Sequence, residues 1–357
     1  MRNQFRTILS ALALLVSSFS VSAQEDISSI FKAGNSIGTL AEGYLKPVGV
    51  GFAAGLGSNW YNTAATHKVL GFDLTLGVNV SAVPTSDQNF SVVGLNGLTP
   101  KDPSITTAPS FAGSGDGVDM ELKLGNTVIS SFKTPGGIAK YIPSTSLQLG
   151  IGLPLGTDVT VRYSPELKFK SMNVGLWGIG VKHDVKQWIP VVKMLPFDAS
   201  VMVAYTNFGL DYGFENQLKA SDLVSDPALM LNPSSIDDSK SLNQGFQVEA
   251  DALMANFILS KKFLIFTPYV GVGATRTNFS VKFSGSYPTL GAPILPDPRA
   301  TINYKTSEEL PKVSYNETML GTTVGFRLKF LVVVAMHAQY TFQKYPTASV
   351  GFGINFR

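Results

Sequence analysis

The chain has 357 residues, a formal net charge of +3 and no cysteine, and only 15% of its residues are Asp, Glu, Lys or Arg. Soluble domains carry about 25% of such charged residues. The near-neutral charge gives no reason to expect nucleic acid as a partner. The lack of cysteine excludes disulfides, thiolate metal sites and lipoprotein acylation.

The first 23 residues have the pattern of a cleaved secretory signal peptide. Arg2 and Arg6 supply positive charge, an apolar stretch spans residues 8–16, and residues 21–23 form a small-residue cleavage site. Beyond them, no run approaches the roughly 18 apolar residues that a spanning helix needs. An exported apolar chain of this kind can cross a membrane as a closed β-barrel, so we expect it in the cell outer membrane.

Residues 26–48 predict one or two amphipathic helices, because their apolar side chains recur at three- and four-residue steps. The pattern can extend to Gly57. We therefore predict an N-terminal helical plug or periplasmic segment at residues 24–64, followed by the barrel at residues 65–357. A surface helix that packs on the end of the barrel is an alternative.

From residue 65 onward, apolar and polar residues alternate in segments about as long as a membrane-spanning strand. These segments give about twelve strands, including 119–124 and 127–133, or fourteen if 86–95 or 43–56 also pair. The sequence thus predicts an all-β fold, a transmembrane antiparallel β-barrel of about 12–14 strands with a short N-terminal helical plug or cap.

Three long polar segments, residues 84–117, 215–243 and 285–312, separate the predicted strands. If the first strand runs outward, all three lie outside the cell and the short connections lie in the periplasm. Short periplasmic turns with long external loops are typical of outer-membrane barrels, which supports this orientation.

The last strand alternates strictly, with Val350, Phe352, Ile354 and Phe356 on one face and small or polar residues on the other. It resembles the C-terminal strand of Gram-negative outer-membrane barrels, which commonly ends with an aromatic residue at or next to the terminus. The resemblance implies that the barrel-assembly machinery recognises this strand.

A short hinge, Trp60-Tyr61-Asn62-Thr63-Ala64, stands between the predicted helices and the first strand. Helices, a hinge and then a strand is the order found in FadL-type long-chain fatty-acid transporters, whose corresponding hinge reads Asn-Pro-Ala. This chain resembles that family over residues 26–83, but Thr63 stands where the proline would be. The resemblance implies a gated uptake channel.

Residues 182–190, K-H-D-V-K-Q-W-I-P, resemble a segment found in an uncharacterised group of outer-membrane proteins. Pro190 and Pro196 exclude central strand positions. We predict a short interfacial helix on the periplasmic side within residues 183–196.

Seven side chains are predicted to face the lumen and to be ligand candidates, because they lie opposite the outward apolar residues. They are Asp73, Arg162, Glu249, Asp251, Glu317, Arg327 and His337, and Asp119, Glu121 and Lys123 share their inward pattern. Lumen charges tune selectivity in barrels. Arg162 and Arg327 are candidates for an anionic head group, because guanidinium binds carboxylate through two hydrogen bonds. The alternative is that the charges pair with one another and fill the lumen.

His67, His183 and His337 lack metal-ligand spacing, and the chain contains no G-x-S-x-G motif or P-loop. We therefore expect no metal, no cofactor and no enzymatic activity. An outer-membrane enzyme such as a phospholipase would need Ser and His on the lipid-facing rim, and these histidines do not fit that pattern.

The sequence favours a channel for uptake of small hydrophobic or amphipathic molecules, with outer-membrane lipid as its surroundings and a hydrophobic small molecule as substrate. The alternative is a structural or surface-binding barrel that acts through its long external loops.

Overall fold

The computed structural model describes residues 30–124, 127–169, 171–224, 231–291, 294, 297, 299–330 and 333–356. Ten antiparallel strands form a closed barrel, each neighbouring the next along the chain, and the last pairs with the first. They are β1 (Phe72–Ala82), β2 (Tyr141–Leu153), β3 (Thr157–Phe169), β4 (Met172–Asp184), β5 (Asp198–Gly213), β6 (Gly245–Ser260), β7 (Phe266–Ser284), β8 (Val313–Phe330), β9 (Val334–Phe342) and β10 (Thr347–Phe356). The signal peptide predicted at residues 1–23 lies outside the described residues.

The barrel architecture predicted from the sequence is confirmed, but the predicted count of 12–14 strands is too high. Residues 119–124 and 127–133 pair with each other and with 98–100 in a small sheet outside the barrel. They are 6 and 7 residues long, whereas a tilted membrane strand needs about 9–11. Residues 89–91 pair with 107–109 in a second small sheet, and residues 43–56 are helical.

The outer face of the barrel is apolar, as the alternation predicts. Val350, Phe352 and Ile354 of β10 are exposed, and the rings of Phe72 and Phe356 stack at 5.0 Å across the closing pair. Side chains of this kind belong in lipid, and the intervening residues of β10 point inward and are buried. The outer face is therefore a membrane-spanning surface.

The two ends of the barrel differ. The loop end carries the long connections 83–140, 214–244 and 285–312, and the turn end carries the short connections 154–156, 185–197 and 261–265. The connection 185–197 contains a one-turn helix, α2 (Pro190–Lys193), after a 3-10 turn at Lys186–Trp188, in agreement with the predicted short helix.

A single long helix, α1 (Ile37–Gly57), fills the loop-end half of the lumen. It follows a 3-10 turn at Ile30–Ser36, where the ring of Phe31 stacks on Tyr287 of a long loop at 4.4 Å. Among the helices that the structure describes, none is long and apolar enough to cross a membrane. The linker, residues 58–71, continues from the end of α1 through the remaining lumen to the turn end.

Close packing fixes α1 against the wall. A Cβ atom at Gly49 would lie 2.2 Å from the ring of Phe279 on β7, so this contact requires glycine. Ala250 and Ala252 of β6 are fully buried beneath the helix. The inner wall is therefore apolar at these contacts with α1.

This apolar inner wall overturns one prediction. On β6, Ala250, Ala252 and Met254 face inward, whereas Glu249, Asp251 and Leu253 face outward. Glu249 and Asp251 were predicted to face the lumen, on the assumption that apolar residues face lipid and polar residues face the lumen. That assumption fails where a helix replaces water inside the barrel.

Candidate functional site

Arg162 of β3 holds the end of α1. Its side chain is only 1% exposed. Its Nε donates to Oε1 of Gln148 at 3.0 Å, and its two terminal nitrogens donate to the carbonyl oxygens of Leu56 and Ser58 at 2.8 and 2.7 Å. The last carbonyls of a helix lack partners within the helix and attract a cation.

Trp60 covers the same guanidinium. Its ring centroid lies 3.9 Å from Cζ of Arg162, which is a cation–π contact. The contacts that the structure shows for Arg162 are thus with the plug and with Gln148 of β2, and its predicted role with an anionic head group stays a prediction.

Arg327 and His337 lie opposite each other on β8 and β9, and both are buried. Nε2 of His337 lies 2.5 Å from Oδ1 of Asn59. Asn59 adopts a positive φ of 63° directly after α1, a conformation that asparagine tolerates. These two predicted lumen residues are therefore inward, and His337 positions the start of the linker.

The linker is fastened again at the turn end, around His67. Nδ1 of His67 lies 3.0 Å from Oδ2 of Asp158, and Nε2 lies 3.3 Å from Oδ1 of Asp73. Lys182 pairs with Asp158 at 3.0 Å and donates to the carbonyl oxygen of Ala65 at 2.9 Å. Within the described part of the chain, no group of three or more His, Asp or Glu side chains is arranged to hold a metal ion.

The remaining predicted candidates lie elsewhere. Glu317 is at the loop end and pairs with Lys344 at 2.9 Å. Asp251 accepts hydrogen bonds from Tyr205 at 2.6 Å and Asn207 at 2.7 Å on the outer face, and Glu249 is exposed. The seven predicted residues therefore do not converge on one site.

The loops close the lumen above α1. The hydroxyl of Tyr345, in the turn between β9 and β10, donates to Oδ2 of Asp87 at 2.5 Å. Burial, together with this hydrogen bond to a carboxylate, raises the pKa of Tyr345. The hydroxyl thus stays protonated at physiological pH and keeps the loop in place.

Around the linker, two small polar cavities remain, of about 10 and 20 Å³. Asn59 and Thr275 line the smaller one, and Asp158 and Lys182 line the larger one. Each has room for about one water molecule. Neither cavity admits a solute larger than water.

Half-buried apolar side chains border α1 on the side of β4 and β5. Leu45, Val48 and Phe52 form a half-buried stripe at helical spacing. The ring of Phe52 lies 4.7 Å from that of Phe208 on β5, and Leu176 of β4 is the cross-strand partner of Phe208. We call these five residues the cleft.

The barrel wall is incomplete beside this cleft. β2 and β3 pair at the turn end, from Leu153 opposite Thr157 to Gln148 opposite Arg162. In the described residues nearer the loop end, no pair joins the two strands. Above that point β2 pairs only with β1, and β3 pairs with β4 after a register shift. We call the unpaired stretch between residues 141–147 and 163–169 the seam.

Two prolines explain the seam and were a signal that sequence reasoning missed. Pro143 and Pro165 lie on its two sides. Proline lacks the N–H of a ladder pair and is tolerated on edge strands. Asp158 and Lys182, which fasten the linker, were also missed, although both lie on the inward side of clear strands.

Comparison with known families gives one match over nearly the whole length. Residues 1–356 match the model described as "Family of unknown function (DUF6588)". The chain belongs to the DUF6588 family. This supports the predicted uncharacterised group of barrel proteins, and it gives no support to the FadL-type resemblance, which stays a prediction. No curated protein matches this DUF6588 member in sequence.

Solved structures similar to this DUF6588 barrel are outer-membrane barrels. They include the attachment invasion locus protein Ail of Yersinia pestis (8% identity, 81% of this chain and 99% of that chain, TM-score 0.27). The translocator domain of autotransporter NalP from Neisseria meningitidis (9%, 82% and 90%, TM-score 0.30) and the Ralstonia pickettii toluene transporter TbuX (6%, 81% and 90%, TM-score 0.24) are also similar. Similarity at this level says nothing about function here.

Proposed function

We propose that this protein is an outer-membrane barrel for the uptake of small hydrophobic or amphipathic molecules, which bind first in the cleft. The observation that carries the proposal is the seam. It interrupts the wall beside three half-buried apolar side chains of α1, so an apolar molecule can reach them from the membrane without crossing water.

The cleft has the chemistry of an amphiphile site. Leu45, Val48 and Phe52 offer an apolar wall, and Glu42 and Lys46 stand on the neighbouring, less buried side of the helix. Binding sites for such molecules are mostly apolar, with a few polar groups that fix orientation. An alkyl or aromatic part would lie along the stripe, and a polar group would lie near Glu42 and Lys46.

Passage to the periplasm would require the plug to move. Arg162, His337, Asp158 and Lys182 of the wall hold the linker, and the two cavities described around it are too small for a solute. α1 and the linker therefore act as a gate in this proposal, and binding and transport are separate steps.

Binding is tested with a fluorescent alkyl probe and the variant Val48→Asn/Phe52→Asn. Losing two apolar contacts is expected to weaken binding at least tenfold, since each buried side chain contributes about 1.5–3 kcal/mol. Phe257→Asn, a change on the lipid-facing surface of β6, is the control. Equal binding by both variants would remove the cleft from the account.

Transport is tested with Gly51→Cys/Ile142→Cys. The Cβ atom built at Gly51 lies 3.4 Å from that of Ile142, close to disulfide geometry, and the chain has no other cysteine to compete. The oxidised variant is expected to bind the probe and not to transport it, with recovery on reduction. Uptake that is unchanged by oxidation would contradict a mobile gate.

A second candidate is a structural or surface-binding barrel that acts through its external loops. The lumen favours it, since α1 and the linker occupy it in the part of the chain that the structure describes. If neither variant changes uptake into vesicles and no probe binds, this candidate replaces the first.

A further inference from the structure

The turn end carries three leucines in an unusual backbone conformation. Leu70, Leu155 and Leu264 have φ of 65°, 60° and 51° and are 80%, 71% and 91% exposed. Each lies in a short connection: before β1, between β2 and β3, and between β6 and β7.

Leucine is a poor choice at such positions. A positive φ strains a residue with a branched side chain, and glycine or asparagine relieves the strain. An exposed leucine gains no burial within the barrel that could offset it. The same pattern in three separate turns indicates that these side chains contact something outside the protein.

The charges of the same connections have one sign. Residues 66–71, 154–156, 185–197 and 261–265 contain five lysines and no Asp or Glu. Lys68, Lys193, Lys261 and Lys262 are exposed. The connections of the turn end therefore present apolar side chains together with lysines and no carboxylate side chain of their own.

This surface continues the lipid-facing belt. Leu153 and Phe266 are outward and exposed where their strands meet the turns, and Phe263, Ile265 and Trp188 extend the exposed apolar surface past them. Trp and Lys side chains with apolar neighbours are typical of surfaces that lie in the headgroup layer of a membrane.

We propose that the turn end binds anionic phospholipid headgroups of the leaflet that surrounds it. The leucines and Trp188 insert among the headgroups and upper acyl chains, and the lysines contact the phosphates. This interaction does not depend on what the barrel transports.

The test compares urea unfolding of the full chain in phosphatidylethanolamine vesicles with and without phosphatidylglycerol, at low salt. For the wild type, phosphatidylglycerol is expected to raise the urea midpoint. The double variant Lys261→Gln/Lys262→Gln is expected to remove most of that rise. Each lysine lost should change the unfolding equilibrium constant in phosphatidylglycerol vesicles by about fivefold. Lys101→Gln, an exposed lysine of the loop end, is the control and keeps the full rise.

A second variant separates strain from lipid contact. Leu155→Gly/Leu264→Gly relieves the backbone, so without lipid contact it would raise the midpoint in both kinds of vesicle. If the leucines contact lipid, the urea midpoint of this variant should instead be lower than that of the wild type. If this variant fails to assemble, quenching of Trp188 by brominated lipid, measured by difference from Trp188→Phe, replaces it.

A raised midpoint for the glycine variant, an undiminished phosphatidylglycerol effect in the lysine variant, or quenching of Trp188 by soluble acrylamide rather than lipid would each overturn the proposal. The turn end would then face the aqueous phase, as expected of a surface for a soluble partner.

Discussion

The two halves of the lumen are filled in different ways. At the loop end, α1 packs through small and apolar residues, and contacts such as Gly49 against Phe279 depend on shape. In the turn-end half, charged and hydrogen-bonded side chains of the wall hold the linker, among them Arg162, Asp158 and Lys182.

The difference suggests how one plug can be both stable and movable. The hydrophobic effect has no preferred direction, whereas a buried charged contact is lost when its partner moves. In the proposed function, the linker half sets whether the gate is closed, and the helix half sets where a ligand binds. The following predictions separate the two contributions.

The largest effect is expected for Arg162→Ala. Removing the guanidinium leaves the carbonyl oxygens at the end of α1 without their charged donor and uncovers Trp60. The free energy of unfolding, measured by urea titration in vesicles, should fall by about 3–5 kcal/mol. Arg162→Lys keeps the positive charge but lacks the planar arrangement of donor nitrogens, so it should recover only part of the lost free energy of unfolding. A loss below about 1 kcal/mol would show that Arg162 is not the main anchor.

Asp158→Asn should have the next largest effect. It leaves the buried ammonium of Lys182 without its counter-charge and weakens the hold on His67. We expect a loss of about 2–4 kcal/mol in the same titration. The exposed pair of Asp116 and Lys133 is the matched control, and Asp116→Asn should cost at most about 0.5 kcal/mol. Equal losses at both sites would contradict a special role for the turn-end cluster.

Gly49→Ala tests shape in the helix half. Alanine favours a helix by about 1 kcal/mol, but its Cβ atom would clash with Phe279. We expect a net loss of about 1–3 kcal/mol from overpacking. Combining it with Phe279→Ala should cost less than the sum of the two single changes. Simple additivity would mean that the two residues do not compete for space.

Glu249→Ala should have the smallest effect. The side chain is exposed on the outer face, so its removal should change unfolding by no more than about 0.5 kcal/mol and leave probe uptake unchanged. A strong effect on uptake would restore Glu249 to the lumen and reverse the assignment of β6.

Much of the fold could be predicted from the sequence, because lipid imposes a period-two pattern that is visible in strands such as β1 and β10. Glu249 and Asp251 were misplaced because α1 makes part of the inner wall apolar, and this depends on a helix distant in sequence. Residues 119–133 alternate like membrane strands, but their length distinguishes them. Inward positions of Arg162, Arg327 and His337 were predicted correctly, whereas their contacts with the plug depend on the path of the linker through the barrel.

Planar-bilayer conductance of the intact protein, beside a variant that lacks residues 24–58, tests the closed lumen most directly. The intact barrel is expected to show no steady conductance, and the truncated barrel is expected to conduct. Steady conductance of the intact protein at the level of the truncated one would contradict the assignment of α1 and the linker as the closure of the lumen.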